Sequence, residues 1–278
     1  MGPGEVGVVE EGREQMLENR VKRIVREGGL AIGTYCSVFS GQAIVEIIGH
    51  AGFDAVFIDM EHTAHDLSDI QVMTLAAERV GITPIVRTPG FDPAFILRLL
   101  DMGVQGIQVP HIDGAEAARA AVQAVRYPPL GDRGMAGSSR AANYGKIPLV
   151  QHMEQSNREI TLTVMIEDLK ALDEIDAIAS TEGIDLVSVG PSDMARALGV
   201  GGQSDHPKLV AAIDRVVAAV KKGGIARPAL PMNHPMFPRS AGQLKAMGVG
   251  YSNCSPAAEV RLVRSMSEQV AEIRRELG

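Results

Sequence analysis

The sequence predicts an α/β fold closed into an eight-stranded (β/α)8 TIM barrel, and three observations predict it. Short apolar, partly β-branched runs alternate with amphipathic segments along most of the 278 residues. The runs are apolar on nearly every residue, as expected for parallel strands covered on both faces. An open doubly wound sheet would more often carry a Gly-rich phosphate turn after its first strand; here no GxGxxG follows that strand, and the chain has no Walker sequence. Right-handed crossovers then favour closure, since about eight units in roughly 250 residues suit the barrel.

Taken in order, residues 1–13 are rich in Gly and Glu and read as a loose tail, leaving 14–278 as a single barrel domain. A first helix is expected over 14–27, stopped by Gly28 and Gly29. Strands are expected at 30–37, 55–59, 83–87, 105–110, 161–167, 185–189, 225–230 and 249–252. Helices fall between them at 41–51, 68–80, 92–102, 114–126, 170–180, 206–222, 239–247 and 257–276. In the last, Val260, Val263, Met266, Val270, Ile273 and Leu277 recur at helical spacing as one apolar stripe. The stretch 127–160 has no clear period and reads as an excursion, suited to a lid or a subunit contact, or else a solvated loop with a short helix.

Composition narrows the function. With 45% hydrophobic and 22% charged residues the chain is ordinary globular protein, and it has no apolar run long enough to span a membrane. The net charge of -7, with no basic patch, argues against nucleic acid as a partner. Cys36 and Cys254 cannot form a disulfide scaffold and there is no CxxC, so they read as small buried hydrophobes. The N-terminus lacks the basic start and apolar core of a signal peptide, and a cytoplasmic location is expected.

Catalytic groups in a barrel sit where the strands finish. Those positions carry Asp59, Glu61 and His62 after strand two, Arg87 at the end of strand three, His111 after strand four, Glu167 after strand five and Asp193 after strand six. Carboxylates from adjacent strands, Glu167 and Asp193, suit a hard divalent cation whose remaining ligands are water and substrate oxygens. The bland alternative is that each caps a helix. Arg87 at a strand end needs an anion or carbonyl partner, or a structural ion pair with Glu61 or Asp59. His62 is a candidate general base. None of the lysines lies within or at the last residue of an expected strand, which argues against a Schiff-base mechanism.

These residues resemble a known family. Phe57 to His62, Val86 and Arg87, Leu100 to Gly103, Arg126 to Pro129 with Arg133 and Gly134, Ile166 and Glu167, and Gly190 to Asp193 follow the order and spacing of the HpcH/HpaI aldolases, over about residues 19–255. The resemblance implies a barrel of the phosphoenolpyruvate/pyruvate type and a metal-dependent carbon–carbon lyase that reversibly cleaves a 4-hydroxy-2-oxo acid to pyruvate and an aldehyde. It implies that Glu167 and Asp193 hold Mg²⁺ or Mn²⁺, with Co²⁺ or Zn²⁺ as alternatives. It also implies that Arg87 contacts the keto oxygen, that His62 oriented by Asp101 acts as base, and that backbone amides around Ser192 and Asp193 receive the pyruvate carboxylate. Homo-oligomers, hexamers among them, with the last helix exchanged between subunits, belong to the same expectation. Arg133 or Arg140 is a candidate for a distal substrate carboxylate. Two departures bear on substrate: Met165 stands where typical members carry Gln, and 227–235 is more proline-rich than usual. The same residues would also serve oxaloacetate decarboxylation or another reaction through a pyruvate enolate, as in macrophomate synthase. A barrel retained only for binding would not be expected to keep every ionisable strand-end position.

Overall fold

The computed structural model describes residues 15–278, so the expected tail at 1–13 lies outside the described residues. Eight parallel strands form a closed barrel in the order β1 to β8, with β1 hydrogen-bonded to both β2 and β8. They are β1 (Ala31–Cys36), β2 (Ala55–Asp59), β3 (Thr83–Arg87), β4 (Gly106–Val109), β5 (Thr161–Ile166), β6 (Leu186–Val189), β7 (Arg227–Ala229) and β8 (Tyr251–Cys254). The helices are α1 (Arg20–Arg26), α2 (Gln42–His50), α3 (Leu67–Val80), α4 (Pro93–Asp101), α5 (Ala115–Val125), α6 (Leu149–Glu159), α7 (Leu169–Asp173), α8 (Ile175–Ala179), α9 (Pro191–Ala197), α10 (Pro207–Gly223), α11 (Ala241–Ala246) and α12 (Ala258–Leu277).

Two shells of core explain why nearly every strand residue is apolar. Residues pointing outward, such as Val56, Ile58, Val86, Ile107, Val164 and Val187, join the helices in one continuous hydrophobic layer. Ala31, Ala55, Phe57, Ile85, Leu186, Ala229 and Tyr251 form a second, inner cluster with Val21 of α1. Helix α1 therefore stops the N-terminal end of the barrel. It begins at Arg20 rather than near residue 14 because Asn19 is its cap: Asn19 Oδ1 accepts the Lys22 N–H, and the buried Asn19 amide donates to Gln105 O, Glu159 O and Thr161 Oγ1. Beneath it Lys22 and Arg126 converge on Asp185, at 3.0 and 2.5 Å.

The expected helix over 170–180 is divided into α7 and α8. Glu174 sits between them in a non-helical conformation, and its carboxylate accepts the Ala115 N–H at the start of α5. The excursion at 127–160 ends in an eleven-residue helix, α6, that hydrophobic periodicity did not show. Its buried face is His152, Gln155, Ser156 and Glu159, of which Gln155 and Glu159 accept the Met16 and Asn19 N–H groups of the segment leading into α1. Arg140 donates to Glu78 at 2.8 Å and to Met102 O, where α3 and α4 finish. These contacts pin the excursion at the N-terminal end of the barrel, opposite the strand ends. Within one chain it is therefore not a lid.

Helix α12 runs twenty residues without burying one of them, and its stripe of Val260, Val263, Met266, Val270, Ile273 and Leu277 is exposed. Among the described residues no helix is long and apolar enough to cross a membrane.

Candidate active site

Strand register builds the site. Asp59 at the end of β2 is paired in register with Arg87 at the end of β3, and Arg87 with Gln108 of β4, so three polar side chains share one layer. Arg87 makes a two-pronged contact with Asp59, Nε to Oδ1 at 2.9 Å and Nη2 to Oδ2 at 2.6 Å, while Nη1 lies 3.0 Å from Glu61 Oε2. Burial opposes charge on both members of this pair. The guanidinium nevertheless outweighs it and holds the Asp59 carboxyl below its usual range, and Asp59 and Glu61 raise Arg87. The structural ion pair considered for Arg87 is thus real, and Arg87 still lines the cavity at the strand ends.

That cavity, of about 890 Å³, is walled by His62, Arg87, Met165, Gly190, Ser192 and Asp193 together with residues of the loops after β7 and β8. Four expected site residues therefore converge on one space. His62 is exposed, with its Nε2 3.8 Å from Glu61 Oε2. Ser192 and Asp193 lie in the first turn of α9, which opens with Pro191 after Gly190. Asp193 is partly exposed and lies 3.3 Å from Arg196, and Ser192 Oγ is 3.5 Å from His234 Nε2.

Glu167 is 4% exposed at the end of β5. Burial raises its carboxyl above the ordinary range. Contacts from His111 act in the other direction, and the negative charges of Glu61 and Asp193 add to the rise. Gly190 leaves room here: a Cβ at that position would fall 2.6 Å from Met165 Cε and 3.0 Å from Glu167 Oε2, so both side chains would have to shift. Among the described residues no three His, Cys, Asp or Glu side chains form a ready-made metal cage. The donor set is two carboxylates with open positions, crowded by a third at Glu61. This is the excess of negative charge that a hard dication relieves, and Glu167 and Asp193 fit such an ion.

Three findings differ from expectation. Asp101 does not orient His62 within one chain. It is the last residue of α4, at the N-terminal end of the barrel, where its carboxylate meets Arg133 at 2.8 Å. Arg133 and Arg140 are committed there to Asp101 and Glu78, far from the cavity mouth, so neither meets a distal carboxylate within one chain. Met165 does not leave its wall wholly apolar, because Gln108 from the neighbouring strand donates to its sulfur at 3.2 Å. Sequence reasoning noted His111 at the end of strand four but gave it no role; it sits between Glu61 and Glu167 at 2.7 and 2.9 Å. The absence of a lysine from the strands is borne out, since Lys22 is in α1 and Lys170 is salt-bridged to Asp113 at 2.6 Å on the surface.

Known proteins share this arrangement of elements. The chain is 36% identical over 253 residues to a pyruvate aldolase of Rhizobium etli, covering 91% of this chain and 96% of that one. It is 37% identical over 209 residues to a 5-keto-4-deoxy-D-glucarate aldolase of Klebsiella pneumoniae, covering 75% and 80%. Among solved structures, an HpcH/HpaI aldolase of Desulfitobacterium hafniense superposes with a TM-score of 0.84 at 29% identity, covering 93% of this chain and 97% of the other. Macrophomate synthase shares the fold, with a TM-score of 0.78 at 19% identity over 97% of each chain. The pattern of the HpcH/HpaI aldolase/citrate lyase family matches residues 34–251, and with a barrel whose strand ends gather His62, Arg87 and Asp193 about one cavity, the chain belongs to that family of carbon–carbon lyases.

Proposed function

We propose that the protein is a divalent-metal-dependent aldolase that reversibly cleaves a 4-hydroxy-2-oxo acid to pyruvate and an aldehyde, with Glu167 and Asp193 holding the cation. The observation that carries this reading is charge balance. Arg87 at the cavity wall is shared by Asp59 and Glu61, and beside it the negative charges of Glu61 and Asp193 add to that of Glu167. When bound, a dication would supply Lewis-acid stabilisation of the negative charge that builds on the keto acid.

The remaining chemistry belongs to the chain's own side chains. Arg87, held in place by Asp59 and Glu61, directs its guanidinium to the 2-oxo oxygen and stabilises the charge there as the C3–C4 bond breaks. His62, exposed to the cavity, accepts the proton of the 4-hydroxyl as the aldehyde forms, directly or through a water. Backbone N–H groups at Ser192 and Asp193 open a helix and receive the substrate carboxylate. The exposed stripe on α12 suits packing against another copy of the chain, in keeping with a homo-oligomer that exchanges this helix. The expected location is the cytoplasm.

The test is to load the enzyme in turn with Mg²⁺, Mn²⁺, Co²⁺ and Zn²⁺ and screen a set of 4-hydroxy-2-oxo acids for pyruvate release, with oxaloacetate alone as a parallel arm. Metal-dependent release of pyruvate with a matching aldehyde supports the reading. Turnover of oxaloacetate only, or release that persists with chelator, contradicts it.

A further inference from the structure

We propose that His111 is a positioning residue that aims Glu167 at the cation, an inference that rests on the metal reading above. His111 stands just past β4 at φ 55°, in the left-handed region. Few non-glycine residues adopt that conformation, and histidine is among those found there more often. It lets one residue address Glu167 twice. The His111 backbone N–H donates to Glu167 Oε1 at 2.7 Å, and ring Nδ1 lies 2.9 Å from the same oxygen. The far ring nitrogen, Nε2, is 2.7 Å from Glu61 Oε1. Glu61 then continues to Arg87, through Oε2 and Nη1 at 3.0 Å.

The two oxygens of Glu167 are thereby given different tasks. Oε1 is engaged by His111. Oε2 is turned toward the end of β6, within 3.0 Å of where a Cβ on Gly190 would stand, three residues before Asp193. The imidazole also stands between the buried Glu167 carboxylate and that of half-buried Glu61. Tautomer decides which carboxylate takes the ring N–H, but the ring fills the gap in either case. Groups that orient a metal's ligands in this manner typically govern affinity by about 10- to 100-fold. The ring itself is 60% exposed, so its removal opens no cavity in the core.

Calorimetric titration of metal-free enzyme with Mn²⁺ tests this, using His111→Gly, which accepts the left-handed backbone and keeps its N–H while removing the ring. His111→Asn, another residue tolerant of that backbone, is the second variant. Each is expected to bind Mn²⁺ about 10- to 100-fold more weakly than wild type with an unchanged melting temperature. Each should also need proportionately more Mn²⁺ to reach a given kcat/KM. Affinity within twofold of wild type in both variants, or tighter binding, would overturn the positioning role while leaving the metal site standing. Wild-type enzyme that takes up no Mn²⁺ would overturn both.

Discussion

At the N-terminal end of the barrel one carboxylate, Asp185, faces two cations, Lys22 at 3.0 Å and Arg126 at 2.5 Å, and also accepts the Leu162 N–H. At the C-terminal end one guanidinium, Arg87, faces Asp59 and Glu61, with Glu167 and Asp193 beyond. The lower cluster is satisfied by the protein alone. Burial would raise Asp185, but Arg126 and Lys22 outweigh it and hold the carboxyl below its ordinary range. The upper cluster is not balanced: burial and the negative charges of Glu61 and Asp193 displace Glu167 upward. Similar residue types in the same barrel thus do different work. A balanced buried cluster holds the fold, and an unbalanced one carries the charge that the proposed cation would complete.

The largest expected effect comes from removing the unbalanced charge. Glu167→Gln should lower metal-dependent pyruvate release by about 10⁴-fold, the several kcal/mol that a catalytic metal contributes, while thermal unfolding in the absence of metal changes little. A variant that melts far below wild type would show that Glu167 belongs with the structural cluster. The converse is Arg126→Met, which strips Asp185 of a partner. It should lower stability by about 3–5 kcal/mol in denaturant titrations and leave kcat of the folded fraction unaltered. Loss of kcat without loss of stability would erase the distinction between the ends.

A smaller effect is expected at His62. Replacement by Ala should reduce kcat by about 10²-fold or more, without weakening Mn²⁺ binding in calorimetry. Weaker Mn²⁺ binding would move His62 from proton transfer to metal ligation. The smallest effect is a pH dependence at the lower end. Because the folded pKa of Asp185 is depressed, its contribution to stability is fully present above the unfolded carboxyl value of about 3.9 and is lost as pH falls through the lower folded value. The advantage in melting temperature of wild type over Asp185→Asn should therefore shrink below about pH 4. An advantage that stays constant to lower pH would assign Asp185 a packing role instead.

What could be read from the residues follows the same division. β2 (Ala55–Asp59) and β3 (Thr83–Arg87) are where apolar, β-branched runs place them, because a strand covered on both faces leaves that imprint. His62, Arg87, Ser192 and Asp193 meet at one cavity because a barrel brings every strand end to one mouth. Helix α6 was not legible, since its buried side consists of His152, Gln155, Ser156 and Glu159, of which Gln155 and Glu159 accept backbone N–H groups, rather than of an apolar stripe. Within one chain Asp101 lies away from His62 for a different reason. It lies 14 positions after Arg87, but an intervening helix returns the chain to the opposite end of the barrel, where Arg133 meets it. The role of His111 depended on a left-handed backbone that no residue pattern announced.

The central claim is that the carboxylates following β5 and β6 together bind one dication. Mn²⁺ titration of wild type, Glu167→Gln and Asp193→Asn, with circular dichroism to verify the fold of each, tests it most directly. One ion per chain in wild type and loss of that binding in both variants is the predicted result. Undiminished uptake in either folded variant would contradict it.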